Sequence, residues 1–239
     1  MKKDKLDYSK AICILSGGMD STTLLYKMLQ EYSEVSVMSF SYNQRHKREL
    51  LYAKKTCNLL GLEHLVIELG SLKECLLGSA LTSKNISVPH GHYEDESMKL
   101  TVVPNRNSLM LNIALARAIS IKAGVIGYGA HHGDHAIYSD CKPEFLEAMK
   151  ILAKNIWYEP LNIYAPFMNI TKTDIVKLGF ELKVPFENTY GCYEGKERPC
   201  LRCGTDQERI ISFRDVGVKD PFLTNEEWTE GLRIVKGIK

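Results

Sequence analysis

Short apolar runs alternate along the first part of the chain with longer amphipathic stretches. Residues 11–15 form a continuous apolar run that ends at Ser16 and a glycine pair, which is typical of a strand buried on both faces of a parallel sheet. Apolar side chains recur at helical spacing over residues 21–32, so a helix is expected after the glycines. The first unit is therefore predicted to be strand, turn and helix.

The same alternation continues further along the chain. Further strands are predicted at residues 35–40, 64–69 and 125–130, and further helices at residues 47–60, 105–123, 143–154 and 207–216. Strands and helices in this alternating order predict an α/β fold with a doubly wound parallel sheet.

Two segments depart from this pattern. Residues 71–101 are rich in Gly, Ser, His and charged side chains and are too long for an ordinary connection, which predicts a mobile lid or insertion. After Pro185 the chain becomes rich in Gly, Cys and charge. We therefore predict an ATP-binding α/β domain over residues 1–185 and a small cysteine-rich, zinc-binding and helical region over residues 186–239.

Composition and charge narrow the class of protein. The 239 residues are 44% hydrophobic and 25% charged, and 31 basic against 29 acidic side chains give a net charge of +2, so no broad field favours direct nucleic-acid binding. The first residues show no signal peptide, and no apolar stretch approaches the length of a membrane span. The sequence predicts a cytoplasmic protein without a membrane partner, and it leaves a homodimer open.

The glycine turn after the first strand carries groups that suit phosphate binding. Gly17 and Gly18 permit a tight turn that presents backbone N–H groups at a helix N-terminus, where anions bind. Asp20 is predicted to bind Mg²⁺. The turn lacks the Gly-Lys-Ser/Thr of a Walker loop, which disfavours a kinase or GTPase. The predicted ATP-binding residues are Leu15, Ser16, Gly17, Gly18, Met19, Asp20, Ser21 and Thr22.

The order Ser-Gly-Gly-x-Asp-Ser-Thr at residues 16–22 resembles the PP-loop of enzymes that split ATP between the α and β phosphates to make an adenylate. A glycine turn of purely structural use is the alternative. Four further segments, residues 42–46, 103–107, 133–141 and the cysteine-rich tail, resemble the 7-cyano-7-deazaguanine synthase family of PP-loop ATPases, which makes a precursor of queuosine-type tRNA bases.

The resemblance implies an ATP-dependent ligase that forms C–N bonds. Its reaction converts 7-carboxy-7-deazaguanine and ammonia into 7-cyano-7-deazaguanine, through an adenylated acid and an amide. ATP and Mg²⁺ are the implied cofactors. Lys172 aligns with a lysine segment of the family that is expected to approach the ATP phosphates. The catalytic residues are therefore expected to be Asp20, Lys172 and Arg106.

Polar residues beyond the predicted strands and loops suit the implied substrate. Donors for a carboxylate are expected from Gln44, Arg45, His46 and Arg106, and Arg106 could form a bidentate fork. Contacts to the edge and face of a guanine-like base are expected from Asp134, Tyr138 and Asp140. Solvated loop charges and ordinary turn chemistry remain the alternative interpretations of these two groups.

The cysteine-rich tail resembles a structural zinc site. Cys192 precedes the CxxC turn of Cys200 and Cys203, so that three thiolates could bind one ion. Members of the family usually carry a fourth cysteine where this chain has Asp206, which leaves the ligand set open. Asp206 could complete a Cys₃Asp site, or it could lie in the first turn of a helix capped by Thr205.

Two other functions stay open from the sequence. The altered tail leaves room for a related adenylating enzyme that stops at the amide or joins the activated base to another amine. A nucleotide-binding module that retained the loop without its chemistry is the alternative from another class.

Overall fold

The computed structural model describes residues 5–93 and 95–237. Within these residues, five strands form one sheet in the order β3-β2-β1-β4-β5, and every strand pair is parallel. The strands are β1 (Asp7–Ile14), β2 (Glu34–Ser41), β3 (His64–Glu68), β4 (Ala123–Gly127) and β5 (Asn162–Tyr164). The strand order reverses between β1 and β4, which confirms the predicted doubly wound α/β fold.

Helices connect and cover the strands. They are α1 (Met19–Glu31), α2 (Glu49–Leu60), α3 (Arg106–Ile121), α4 (Pro143–Asn155), α5 (Lys172–Glu181), α6 (Gly204–Val216) and α7 (Asn225–Lys236). The predicted helices match α1 to α4 and α6 within a few residues, whereas β5, α5 and α7 are not among the predicted elements. No helix in the described part of the chain is both long and apolar enough to cross a membrane.

The two faces of the sheet carry separate apolar cores. Successive residues of β1 point to opposite sides, since Ile12 packs in the core under α3 and α4, while Cys13 packs in the core under α1 and α2. Both side chains are fully buried. This explains why residues 11–15 are apolar without interruption.

The C-terminal region packs back onto the α/β domain. Phe186 and Phe213 share one apolar cluster with Met19 of α1 and Val176 of α5, and both phenylalanines are fully buried. The predicted division at residue 185 stays a prediction, and its outer ends, residues 1–4 and 238–239, lie outside the described residues. The shared cluster fixes α6 beside the turn that follows β1.

The segment at residues 71–101 forms an insertion without a strand or an α-helix in its described part, which excludes residue 94. Two 3-10 helices, Gly70–Leu76 and Glu96–Thr101, lie at its ends. Leu81 and Met98 of the segment are buried, and the Arg45 guanidinium donates hydrogen bonds to backbone carbonyls of residues 80, 83, 84 and 86. The structure therefore shows a packed insertion, where the sequence predicted a mobile lid or insertion.

Candidate active site

The glycine turn lies at the carboxyl end of β1, where the strand order reverses and where open parallel sheets bind ligands. Gly17 has φ +95°, and a Cβ at this residue would lie 2.1 Å from the backbone oxygen of Glu49. The turn is closed by its own hydroxyls, because Ser21 Oγ accepts from the Ser16 N–H at 3.1 Å and Ser16 Oγ accepts from the Gly18 N–H at 3.1 Å. Only glycine fits at residue 17.

Lys172 lies beside this turn, at the first position of α5. Its Nζ is 3.4 Å from Asp20 Oδ2 and 2.6 Å from Glu208 Oε2. Burial would lower the pKa of Lys172, but the carboxylates of Asp20, Glu208 and Asp134 outweigh burial and raise the pKa above its ordinary value. Lys172 is therefore a buried ammonium whose charge is stabilised by the carboxylates beside the turn.

Asp20 has one oxygen left for a ligand. Its Oδ2 faces Lys172, whereas its Oδ1 is buried and has no hydrogen-bond partner among residues 5–93 and 95–237. An unpaired buried carboxylate oxygen is costly unless a cation or donor meets it. The oxygen chemistry at Asp20 thus fits the predicted Mg²⁺ site.

Asp134 is held as a carboxylate in the turn after β4. Its Oδ1 accepts from the Tyr93 hydroxyl at 2.8 Å, and its Oδ2 accepts from the His131 N–H at 3.2 Å. Burial would raise the pKa of Asp134, but His131, Lys172 and these hydrogen bonds lower the pKa below its ordinary value. Asp134 therefore presents a fixed negative charge to the interior.

Tyrosine rings surround the same space. The Tyr138 hydroxyl lies 2.7 Å from Thr101 Oγ1 and 3.0 Å from the Tyr193 hydroxyl, and its ring lies 6.1 Å from that of Tyr93. Aromatic faces with hydroxyls at their edges suit a planar heterocycle that carries polar groups. The arrangement can therefore hold a base by stacking and by hydrogen bonds.

One cavity joins these parts. Ten of the predicted site residues line it: Leu15, Ser16, Gly18, Asp20, Ser21, His46, Arg106, Asp134, Tyr138 and Lys172. Arg106 lies at the first position of α3, and its Nη1 donates to the Tyr42 hydroxyl at 3.3 Å. The structure thus brings the glycine turn, the lysine, the arginine and the tyrosine cluster around one space.

Three predicted substrate contacts do not line this cavity, namely Gln44, Arg45 and Asp140. The Gln44 side chain accepts from the Tyr42 N–H and donates to the Phe40 carbonyl and to Glu49. The Arg45 guanidinium binds the carbonyls of the 71–101 segment. Both side chains form hydrogen bonds within the protein, whereas the sequence predicted that they contact the substrate carboxylate.

Asp140 has a structural partner as well. Its Oδ2 accepts from the backbone N–H of Asn107 at 3.1 Å, in the first turn of α3. A carboxylate at this position satisfies one free amide and interacts favourably with the helix dipole. Asp140 therefore fixes the start of the helix that carries Arg106, and its side chain does not reach the cavity.

Three other residues of the predicted turn do not line the cavity. Met19 packs in the apolar cluster with Phe213, Thr22 is fully buried, and Gly17 lies against Glu49. Their place in the turn is structural, since they fix the backbone that carries Gly18 and Ser21.

The cysteine-rich tail forms a compact cluster. Single ligand atoms of Cys192, Cys200, Cys203 and Asp206 all lie within 4.8 Å of one another, and Cys192 Sγ is 4.0 Å from Cys203 Sγ. Zinc–sulfur bonds of about 2.3 Å in a tetrahedral site require sulfur separations of this order. The residues present therefore fit a zinc ion.

Backbone donors surround the cluster. The Cys203 N–H donates to Cys200 Sγ at 3.2 Å, the Cys200 N–H donates to Cys192 Sγ at 3.3 Å, and the Leu201 N–H donates to Asp206 Oδ2 at 2.9 Å. Such hydrogen bonds stabilise thiolates and orient ligands around a metal. Asp206 is 4% exposed, so its carboxylate lies inside the cluster and away from solvent.

The alternative role of Thr205 as a helix cap is wrong. Helix α6 begins at Gly204 with Cys203 as its N-cap, and the side chain of Glu208 pairs with Lys172 instead of completing a capping box. Asp206 thus lies in the first turn while its carboxylate bends back to the cysteines.

Two acidic residues of the site were missed from the sequence, namely Glu49 and Glu208. Glu49 lines the cavity, and Glu208 holds Lys172. The spacing of Glu49 three residues after His46, at the start of a helix, was the only available signal. Glu208 gave none, because its contact joins segments that are 36 residues apart.

The comparisons with known proteins agree with this geometry. A sequence profile of the family described as queuosine biosynthesis protein QueC matches residues 10–217. The 7-cyano-7-deazaguanine synthase of Caldicellulosiruptor saccharolyticus is 50% identical over 213 residues, which cover 89% of this chain and 94% of the relative. The synthase of the same description from Methanoregula boonei is 48% identical over 89% of this chain and 98% of the relative.

A solved structure gives an independent comparison of the fold. NMN synthetase from Francisella tularensis aligns with a TM-score of 0.52 and 14% identity, over 96% of this chain and 84% of that chain. At this identity the likeness concerns the fold alone. The family profile and the two synthases instead match along most of the sequence, and the chain therefore belongs to the family of queuosine biosynthesis protein QueC.

Proposed function

We propose that this chain converts 7-carboxy-7-deazaguanine and ammonia into 7-cyano-7-deazaguanine, with ATP activating first the acid and then the amide. The proposal follows from the family and from the names of its relatives. The observation that carries it is the shared cavity, which is lined both by the glycine turn and by the tyrosine cluster. A carboxylate held there would lie beside the turn.

ATP would bind through residues 15–22. Ser16, Gly18 and Ser21 line the cavity and offer backbone and hydroxyl donors, and Lys172 offers a buried positive charge. Asp20 would hold Mg²⁺, which supplies charge neutralisation at the phosphates when it is bound. Catalysis would rest on positioning and on these charges, without a covalent intermediate on the protein.

The deazaguanine would bind among the tyrosines. Asp134 is a fixed acceptor for the N–H groups of a guanine-like edge, and Tyr138 offers a ring and a hydroxyl. Arg106 lines the cavity and is the donor that remains for the carboxylate, and His46 lines the cavity as well. Gln44, Arg45 and Asp140 would act indirectly, because they fix the backbone around these groups.

Zinc would be a structural ion held by Cys192, Cys200, Cys203 and Asp206. A closed set of four protein ligands leaves no open position for a reacting molecule. The ion would tie residues 192–206 together and so fix the start of α6. A cytoplasmic location, a homodimer and the lack of a nucleic-acid partner remain predictions from the sequence.

Stoichiometry tests the proposal. The chain is incubated with 7-carboxy-7-deazaguanine, ATP, Mg²⁺ and ammonium, and AMP, pyrophosphate and nitrile are quantified together. Two AMP and two pyrophosphate should form for each nitrile. Formation of ADP and phosphate instead would contradict adenylation.

A further inference from the structure

We propose that Glu49, assisted by His46, is the ammonium site of this enzyme and takes the proton that turns ammonium into nucleophilic ammonia. The inference rests on the proposed function and adds a residue and a step to it. Glu49 belongs to none of the groups that the sequence analysis assigned to ATP, the base or the metal.

The backbone of α2 fixes the position of Glu49. It lies at the first residue of α2 and lines the cavity, although it is only 9% exposed. Its backbone oxygen contacts the turn at Gly17, where any side chain would collide with it. The start of α2 is thereby fixed against the glycine turn, and Glu49 shares the cavity with Ser16, Gly18 and Ser21 of that turn.

The hydrogen bonds of Glu49 leave it open for a cation. Its Oε1 accepts from Gln44 Nε2 at 3.2 Å and lies 3.4 Å from His46 Nε2. Among residues 5–93 and 95–237, no hydrogen-bond donor pairs with Oε2, and this oxygen is not sealed from solvent. Ammonium has only donors, so it requires acceptors of this kind.

His46 adds a second acceptor. Its Nδ1 is buried and has no hydrogen-bond partner in the described part of the chain. Burial, together with the charge of Arg106, lowers the pKa of His46 to about 3, so the ring is neutral and does not repel a cation. With the proton on Nε2 toward Glu49, Nδ1 is an acceptor.

The charge state of Glu49 suits a base that works near neutral pH. Burial raises the pKa of Glu49 to about 7, while the Gln44 hydrogen bond and the Arg106 charge oppose that rise. The titratable groups that face it are His46, Arg106 and Tyr42. A carboxyl with this pKa accepts a proton and releases it again within one turnover.

Amide formation from ammonium releases two protons and one AMP. Glu49 takes one proton from ammonium, and the free electron pair of ammonia forms the C–N bond to the carbonyl carbon of the acyl-adenylate. The C–O bond to the phosphate breaks, AMP leaves with that electron pair, and the phosphate takes the second proton from nitrogen. The amide remains, and Glu49 returns its proton to solvent.

Glu49→Gln tests the step because it keeps the shape and removes the base. Two nucleophiles are compared: ammonium, which must lose a proton, and hydroxylamine, which is largely neutral at the same pH. Adenylation is followed separately, as pyrophosphate exchange into ATP that depends on 7-carboxy-7-deazaguanine. Glu74→Gln, at an exposed position, is the matched control.

We expect amide formation from ammonium to fall by about 10²-fold or more in Glu49→Gln, the usual contribution of a general base. Hydroxamate formation and pyrophosphate exchange should stay within about threefold of the wild type, as should every rate of Glu74→Gln. Equal losses with both nucleophiles, or a lost exchange reaction, would overturn the proposal. If Glu49→Gln does not fold, Glu49→Ala, which also removes the carboxylate, carries the same comparison.

Failure of the proposed function looks different. In that case the wild-type chain shows no exchange that depends on 7-carboxy-7-deazaguanine and forms no amide. A wild type that forms amide, together with a Glu49→Gln variant that is unimpaired with ammonium, rejects the ammonium site alone.

Discussion

Lys172 Nζ lies 2.6 Å from Glu208 Oε2, and both side chains are largely buried. The contact joins the start of α5, beside the glycine turn, to helix α6 of the cysteine-rich region. A lysine at a helix N-terminus is disfavoured by the helix dipole, so the carboxylates around it must hold it there. Asp206 lies two residues before Glu208, and the same helix therefore serves the metal cluster and the candidate active site.

Replacing Lys172 tests the role of this charge. Lys172→Met should lower the rate of adenylation by about 10²-fold to 10³-fold, as expected when one fixed donor to developing charge is lost. It should also destabilise the fold by about 3–5 kcal/mol, because Glu208 loses its buried partner. Pyrophosphate exchange and urea unfolding measure the two effects.

Lys177→Met is the control for that variant. Lys177 lies on the same helix, is exposed and pairs only with Asp174 among the described residues. Surface pairs of this kind contribute about 0–1 kcal/mol. If Lys177→Met lost as much pyrophosphate exchange as Lys172→Met, Lys172 would have no specific role in adenylation.

Gly17→Ala should abolish ATP use. The added Cβ would lie 2.1 Å from the Glu49 backbone oxygen, so the turn or α2 must move. Gly78→Ala is the matched control, since Gly78 has a similar φ of +91° but no atom within 4 Å of the added Cβ. Both variants should lose about 1 kcal/mol of unfolding free energy, because alanine is strained at a positive φ. Isothermal titration with ATP should detect binding to Gly78→Ala and none to Gly17→Ala.

Metal analysis tests the cysteine cluster. Protein purified without chelator should hold about one zinc ion per chain. Cys203→Ser and Asp206→Ala should each lower the zinc content and the thermal stability, whereas Cys75→Ser, at an exposed cysteine, should change neither. Full zinc retention in Asp206→Ala would show that the carboxylate is not a ligand.

The pH dependence of stability tests the burial of Glu49. Its raised pKa, about 7 against an ordinary 4.5, means that its contribution to stability is complete below about pH 4.5 and is lost as the pH rises through about 7. Relative to Glu49→Gln, the wild type should therefore lose up to about 3 kcal/mol of unfolding free energy between about pH 4 and about pH 8.

The pKa shift of His46 makes the protein more stable as the pH rises, which is opposite to the effect of Glu49. The wild type is therefore compared with Glu49→Gln, in which the His46 contribution is also present. Its pKa is lowered from 6.5 to about 3 by burial, so its contribution is present above about pH 6.5 and is lost as the pH falls through about 3. Urea unfolding of both proteins across this pH range measures the difference. A flat difference would show that Glu49 is solvated in the folded state.

The sequence predicted the sheet and most helices because buried strands and amphipathic helices leave periodic patterns. Strand β5, Asn162–Tyr164, has three residues, too few for any period to show. The metal cluster was also predicted, since its cysteines lie close together along the chain. Its Asp206 was left open, and the structure places that carboxylate among the sulfurs.

Side-chain direction could not be predicted in the same way. Arg45 is a cation in a motif that resembles a substrate site, yet it binds four backbone carbonyls of an insertion that no pattern places beside it. Asp140 caps α3 through a contact across 33 residues. Such contacts depend on how loops meet in space, which neither hydrophobic period nor local spacing encodes.

In the proposed reaction, one cavity binds the same deazaguanine during both activations, first as the acid and then as the amide. The most direct measurement is a mass-spectrometric time course with the chain, 7-carboxy-7-deazaguanine, ammonium and excess ATP. We predict that the amide rises first and then falls as the nitrile replaces it. An amide that accumulates as the final product while ATP remains would contradict the claim.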